Sequence, residues 1–486
     1  MTIKTEAESA FKEPGYASSE EGESLCALRD PRKDADPSKG KNDSGFNSSD
    51  DNLSSTSDTN SVSSTDSPSP DRITSPVTAH LPEEVLAGLP DGAAEFLRLI
   101  RDGTKVGLPD SFQVPIEEVP SWFDKKKYQL GRQFGHKYYF GINFAEMVSL
   151  YLLFLPDRTL EPLIFTGNSH TPYKAFKRYL STGLRVKSWI DCDIFDTKSV
   201  GYKNLRAVRA MHLNASRKLN GCPREEIARR GTMAGEPGRE GVWCPSYQGI
   251  RKDLAGTCPF AGFDEAFKKE LQDAEATRLY FSQTDMSITQ FGFVGLVLLY
   301  PGKFGAGSAT DEELEGFAHL WRCIGYLLGI EDRFNFCQGT LAEIRQRTAY
   351  TLDLLIKPRF KDAGPDWEHM SRCMVEGISY YIPGVTFEVS LSYMCWALDI
   401  EIPSVSSKLT VVQNFFFGLT KLFFCHTSRI PAVLRFHNYL LRNALQKVQK
   451  QPREWHEKLE NKRYDYQKSG SRDHFAQIGN ELPVLS

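Results

Sequence analysis

Apolar residues recur every three or four positions through most of the chain, a spacing that predicts amphipathic helices. One such helix is predicted over residues 202–219, with an apolar stripe made of Leu205, Val208, Met211, Ala215 and Leu219. His212 lies on that stripe, whereas most of the basic residues lie elsewhere: Lys203, Arg206, Arg209, Arg217 and Lys218. A histidine on an apolar helix face is either a core residue with a satisfied hydrogen bond or a ligand for a buried cofactor.

A second helix is predicted just before it, over residues 173–184. Arg178 and Thr182 are four residues apart, so they project from the same face one turn from each other. Together they present a fixed cation and a hydroxyl. The alternative is a solvated helix surface with a capping threonine.

Several other segments are predicted to be helical. Residues 137–156 are strongly apolar and end at Pro156, but Glu146 in their middle favours a buried core helix over a membrane span. Thr310 and Glu313 form a predicted capping box for a helix that Gly329 closes.

The remaining patterns are less regular. Residues 219–260 have no hydrophobic period and predict a long connection that could cover a substrate channel. Residues 263–283 predict a charged amphipathic helix, and the short run 292–300 fits a core helix or a strand. Further apolar helices follow up to about residue 425, and they suit a bundle interior or partial burial in a membrane surface.

Because strands are scarce in these patterns, the predicted fold is mainly α, in one large helical domain. The 486 residues, 40% of them hydrophobic and 12% aromatic, are enough for a large core. Residues 1–78 predict a disordered Ser/Asp-rich tail, since 41–70 contain 11 serines and 5 aspartates. The helical domain would span residues 79–450, and residues 451–486 would be a charged extension.

Composition and motifs exclude several classes of function. The net charge of −3 gives no signal for nucleic-acid binding. The ten cysteines are scattered without CxxC pairs, and no apolar leader is evident. These two features predict reduced thiols inside the cell, either in the cytoplasm or on the cytoplasmic face of a membrane. The sequence has no GxGxxG, GxxxxGK[ST], GxSxG or HExxH motif.

Three sequence motifs resemble those of a known family in order and spacing. They are Arg178-x-x-x-Thr182 with His212 thirty residues later, MSITQFGFVGLVLLYP at 286–301, and HLWRCIGYLLGIEDRFN at 319–335. They resemble the rubber oxygenase (latex clearing protein) family, shared with the oxygenase of the mycophenolic acid pathway, over residues 80–450. The family has a lysine before the threonine where this chain has Ser181.

The resemblance implies a globin-like helical core that holds one haem b with His212 as the axial iron ligand. Arg178 and Thr182 would lie near the haem as cofactor-binding and catalytic residues. The implied activity is that of a haem-dependent oxidoreductase, using dioxygen to oxygenate or cleave an alkene in an apolar, isoprenoid or lipid-like substrate. Rubber oxygenases have a glutamate upstream of the arginine as a proposed base. Glu161 is the nearest carboxylate here, but its spacing does not match.

Ser181 is too short to reach the iron, so the resemblance implies an open distal face unless His170 or His319 fills it. Two other classes of function remain open. One is a non-catalytic haem protein that binds oxygen or senses redox state. The other is a haem-free helical protein at a membrane surface or in a scaffold, in which His212 is structural.

Overall fold

The computed structural model describes residues 81, 83–109, 119–233, 241–256 and 277–462. Over these residues the chain forms helices and connecting loops and has no strand, which confirms the predicted mainly α class. They all belong to one compact unit. The predicted tail, residues 1–78, and most of the helix predicted at 263–283 lie outside the described residues.

The first helices in chain order are α1 Glu83–Ala87, α2 Asp91–Asp102, α3 Lys125–Lys137, α4 Tyr139–Leu153, α5 Asp157–Phe165, α6 Pro172–Asp191, α7 Val200–Asn220, α8 Arg224–Arg230 and α9 Tyr247–Leu254. After the undescribed segment come α10 Gln283–Leu299, α11 Asp311–Leu328, α12 Leu341–Tyr350, α13 Pro365–Ser379, α14 Phe387–Ala397, α15 Pro403–Ser406, α16 Val411–Cys425, α17 Pro431–Gln449 and α18 Arg453–Glu460. A π-helical turn, Thr351–Ile356, follows α12.

Local sequence explains where the site-bearing helices begin. Thr171 caps α6, since its hydroxyl accepts from the Lys174 N–H, and Pro172 occupies the first helical position. Ser199 caps α7 in the same way through the Tyr202 N–H. The capping box of Thr310 and Glu313 is present at α11, and Gly329 ends that helix with φ 101°, as predicted.

Aromatic contacts join the helices into one core. Phe134 of α3 packs against Phe317 of α11, with ring centroids 4.7 Å apart. Trp367 of α13 donates its indole N–H to the Tyr151 carbonyl oxygen of α4 at 2.9 Å. Helix α4 is thus a buried core helix, as its sequence predicted, and no described helix has the length and apolarity to cross a bilayer.

The structure adds detail to three expectations. Residues 219–260 are not wholly irregular, because α8 and α9 lie within them. The run 292–300, left open between helix and strand, is the end of helix α10. The start of the charged extension is not free of the domain, because Trp455 of α18 packs against Phe176 of α6 with ring centroids 5.6 Å apart.

The apolar stripe of α7 also differs from its prediction. Leu205, Val208 and Leu219 are buried, but Met211 is 45% exposed. Arg209, expected off the stripe, is buried instead. Its guanidinium donates to the carbonyl oxygens of Leu327 and Pro109, at 3.4 and 3.2 Å. Those carbonyls lie near the C-terminal end of α11 and in a loop, and they satisfy a buried cation that would otherwise be costly.

Candidate functional site

The two helices that carry the predicted site residues are neighbours. They meet where Gly201 of α7 lies against Ser188 of α6, so closely that a Cβ on Gly201 would be 2.8 Å from the Ser188 carbonyl oxygen. Asn204 adds a hydrogen bond of 2.9 Å to the Ser188 hydroxyl. At a rise of about 1.5 Å per residue, His212 lies roughly 16 Å along α7 from this contact, and Arg178 lies roughly 15 Å back along α6. In an antiparallel pair of α6 and α7, His212 and Arg178 therefore lie side by side, at nearly equal distances from this contact.

The electrostatics of His212 agree with that placement. The side chain is partly buried, and Nδ1 is enclosed without a hydrogen-bond partner among the described residues. Burial, together with the nearby charge of Arg178, lowers the pKa of His212 to about 4. The imidazole is therefore neutral at pH 7, which is the form that can bind a metal through a ring nitrogen.

Phe281 lies beside the His212 ring, with ring centroids 5.6 Å apart. Its backbone has φ 55°, a left-handed conformation that is rare for a bulky aromatic residue. Such a conformation persists only where the surrounding structure holds it, and it is found most often at functional sites. Phe281 immediately precedes Ser282, the N-cap of α10. The start of that helix therefore holds the Phe281 ring in place beside His212.

Arg178 is the charged residue whose positive charge helps to lower the pKa of His212. Its guanidinium donates to the hydroxyl of buried Ser169 at 3.2 Å, and no described carboxylate forms an ion pair with it. A partly buried cation without an anionic partner is suited to holding an anionic group of a ligand. Its neighbour Lys177 is exposed and instead lies over the Tyr173 ring. Thr182 is partly buried one turn after Arg178, and its contact with a ligand stays a prediction.

The middle of α6 is partly accessible along its length. Residues 178–185 are all partly buried, an unbroken run in which no residue is either sealed in the core or fully exposed. A Cβ added to Gly183 would meet no atom within 4 Å. The Arg185 Nε is nevertheless enclosed without a partner among the described residues. This stretch of α6 therefore combines accessible surface with an enclosed polar group.

A functional group that the sequence interpretation missed is Glu146 of α4. Although the residue retains some accessible surface, Oε1 is fully enclosed and has no partner among the described residues. Burial raises the pKa of Glu146 to about 8, so the carboxyl group is mostly protonated at pH 7. The sequence signal was one acidic residue inside an apolar helix, which served only to exclude a membrane span.

Tyrosines connect Glu146 with the Arg178 segment. Glu146 raises the pKa values of Tyr139 and Tyr381, on top of the larger effect of burial. Tyr381 is also influenced by Tyr179, the residue after Arg178. Burial raises the pKa of Tyr179 to about 12, against the opposing effect of Arg178. A series of neutral, ionisable side chains thus extends from α4 towards Arg178.

Comparisons with known proteins place the chain near one solved structure. A structure of latex clearing protein in its closed state matches at 14% identity and a TM-score of 0.45, over 77% of this chain and 83% of that chain. No family model matches the chain, and no curated protein does. A likeness this distant carries no argument for function, so the residues themselves must support any proposal.

The other candidate residues have different surroundings. Glu161 accepts a hydrogen bond from the Tyr280 hydroxyl at 2.9 Å. His170 lies beside Ser169, and its Nε2 is 3.2 Å from the Lys174 ammonium. His319 accepts from the Asp124 N–H at 3.0 Å and lines a cleft of about 220 Å³ to which residues 172–220 contribute nothing. The Nε2 atom of His319 is therefore already used in the fold.

Proposed function

We propose that this protein is a haem b-dependent oxidoreductase of the oxygenase type, acting on an apolar, isoprenoid or lipid-like substrate with dioxygen. The observation that carries the proposal is the neutral imidazole of His212, whose Nδ1 is enclosed without a partner among the described residues and whose pKa is lowered by burial and by Arg178. The order of Arg178, Thr182 and His212 in the sequence supports the same cofactor. We also propose that the helices around this site form a globin-like core.

The residues present fit a haem group. A haem needs one protein nitrogen ligand and a partner for its carboxylates, and it does not need a cluster of several metal-binding side chains. His212 would hold the iron through a ring nitrogen, and Arg178 would hold a propionate by charge-assisted hydrogen bonds. Thr182 would add a hydroxyl on the same face of α6. When bound, the group supplies an iron that can bind dioxygen.

Two ionisable side chains of the chain itself would supply protons or hydrogen bonds near the substrate. Glu146, neutral at pH 7, can donate a hydrogen bond or hold a proton at a carboxyl oxygen. Tyr381 stays a phenol at that pH, since burial raises its pKa.

The absorption spectrum of the purified full chain tests the cofactor. A Soret band that survives dialysis after addition of haem is expected. Oxygen uptake with isoprenoid lipids then tests the reaction. A protein that retains haem but consumes no oxygen with any such lipid would be a non-catalytic haem protein, and one that retains no haem would contradict the proposal.

Arg178→Ala should reduce haem retention or oxygen uptake at least ~10-fold, a loss typical of one charge-assisted hydrogen bond. Lys177→Ala is the matched control, because Lys177 is adjacent in sequence but exposed and points about 100° away around the helix. Both variants are compared by haem titration and oxygen uptake. Equal losses in the two variants would show that the face of Arg178 is not the functional one.

Ser181 leads to a spectroscopic prediction. Its hydroxyl is a poor ligand, so we expect ferric haem in this protein to be mainly high-spin, with His212 and at most water on the iron. Added imidazole should bind without displacing a protein side chain. In Ser181→Lys, a low-spin form should appear as pH rises, because only the neutral amine coordinates. A low-spin spectrum of the natural protein with two nitrogen ligands would contradict this and favour His170.

A further inference from the structure

Large hydrophobic side chains are exposed mainly in one region. Among the described residues twelve such side chains are exposed, and nine of them fall between residues 411 and 440. The nine are Val411, Val412, Phe415, Leu419, Leu422, Ile430, Phe436, Tyr439 and Leu440, and we call them the docking surface. Scattered exposed apolar residues need no explanation, but a concentration of this size does.

The docking surface follows the helical repeat. On α16, Val411, Phe415, Leu419 and Leu422 are spaced by three or four residues and share one face, which is exposed. On α17, Phe436 and Leu440 repeat the pattern. A single turn, Thr427–Arg429, joins the two helices. Their other faces are in the core, where Phe423, Phe424, Leu434 and Leu441 are buried. Each helix is therefore apolar on both its inner and its outer side.

The charged residues within the segment that carries the docking surface have one sign. Residues 402–453 contain eight lysines and arginines and no aspartate or glutamate, in a chain whose net charge is −3. Exposed members of this set include Lys408, Arg429, Arg435, Lys447 and Lys450. An apolar helix face bordered by basic residues, with aromatic side chains among them, is typical of a segment that lies in a membrane interface.

We propose that the docking surface binds the surface of an anionic lipid bilayer without crossing it. Phe415, Phe436 and Tyr439 would enter the boundary between headgroups and acyl chains, while the lysines and arginines would contact lipid phosphates. A second copy of this chain is a poorer occupant. A two-fold symmetric contact through this face would oppose basic residues to basic residues, and residues 402–453 contain no acidic residue to neutralise them.

The inner face of α17 links the docking surface to the site region. Leu441 and Leu445 are buried against Tyr139, and Leu180 and Tyr381 pack on the same cluster. Leu180 belongs to α6, so the layer beneath the docking surface also contacts the helix that carries Arg178 and Thr182.

Sedimentation of the purified full chain with lipid vesicles tests the proposal without haem or substrate. We expect the chain to bind vesicles of phosphatidylcholine with roughly 30% phosphatidylserine, and to bind phosphatidylcholine alone at least ~10-fold more weakly. Added salt should weaken binding to the anionic vesicles without abolishing it, since salt screens the charges but not the apolar contact.

The double variant Phe415→Ser/Phe436→Ser should bind the anionic vesicles at least ~10-fold more weakly. Both side chains are more than half exposed, so the fold should survive, which a thermal melt verifies. Val200→Ser is the control, because Val200 is 59% exposed but lies outside the docking surface. Arg435→Gln/Lys447→Gln should lower only the preference for anionic lipid.

Equal binding by natural protein and the Phe415/Phe436 variant would overturn the proposal. So would a natural protein that stays in solution with every vesicle. If that protein sedimented as a dimer that the Phe415/Phe436 variant dissociates, the occupant would be a second copy of the chain. None of these outcomes depends on haem, so a failure here is distinguishable from a failure of the proposed function.

Discussion

His212→Ala is expected to lower the affinity for haem at least ~100-fold, while the protein stays folded. Loss of a residue that merely orients a metal ligand typically costs about 10- to 100-fold, so loss of the ligand itself should cost more. Stability should change by less than ~1 kcal/mol, because the replaced side chain is only partly buried and its Nδ1 makes no hydrogen bond within the described part of the chain. Haem titration followed by Soret absorbance measures the first effect, and thermal melting measures the second.

His319→Ala is the control for that experiment and should behave in the opposite way. Its Nε2 accepts the Asp124 N–H at the start of α3, so its loss should cost on the order of 1 kcal/mol of stability. Haem affinity should be unchanged. If His319→Ala removed the haem and His212→Ala kept it with an unchanged spectrum, the assignment of His212 would be wrong.

The pH dependence of haem binding gives a second measurement on His212. A proton competes with iron for the imidazole, so affinity falls as pH drops below the pKa of the folded, haem-free protein. Because burial and Arg178 lower the pKa of His212 to about 4, affinity should hold from pH 7 down to about 4. An exposed histidine, with its pKa of about 6.5, would begin to lose haem near that pH.

Glu146→Gln is expected to stabilise the protein strongly at alkaline pH. In the unfolded chain Glu146 ionises near its usual pKa of 4.5, whereas burial raises the pKa in the folded protein to about 8. Below pH 4.5 both states are protonated and the carboxyl group causes no penalty. Between pH 4.5 and 8 only the unfolded state loses the proton, so folding becomes less favourable as pH rises, and above pH 8 the penalty is complete. Glutamine does not ionise, so Glu146→Gln removes this penalty on the free energy of folding.

The gain should be negligible below pH 4.5 and on the order of 5 kcal/mol above pH 8, at about 1.4 kcal/mol per pKa unit. Denaturant unfolding of natural protein and variant from pH 4 to 9 measures the difference. Glu454→Gln, at an exposed position of α18, should change stability by less than ~0.5 kcal/mol at every pH. A Glu146→Gln gain that does not vary with pH would mean that Glu146 is not enclosed.

The same variant separates structure from function at Glu146. If the carboxyl group holds a proton in the reaction, Glu146→Gln should be more stable than the natural protein and yet lose oxygen uptake with isoprenoid lipids at least ~100-fold, a typical contribution of a general acid or base. Retained activity would show that Glu146 holds no proton that the reaction needs.

The sequence by itself determined the helices and much of their chemistry. Periods of three or four residues, the Thr310 capping box and Gly329 predicted helices whose ends the structure reproduces closely. These signals are local, since a cap or a turn involves only residues within about four positions. The same locality put Arg178 and Thr182 on one face of α6, because i and i+4 residues of a helix always share a face.

Only the tertiary structure decided which of these residues meet and what environment they have. Arg209 is buried and Met211 is exposed because carbonyl oxygens of Leu327 and Pro109, about a hundred residues away in sequence, satisfy the guanidinium. The placement of Arg178 near His212 depends on the contact of Gly201 with Ser188. The pKa values of Glu146 and His212 depend on how completely other helices enclose them. Desolvation is a property of the packed helices together, so no spacing along the chain could have predicted it.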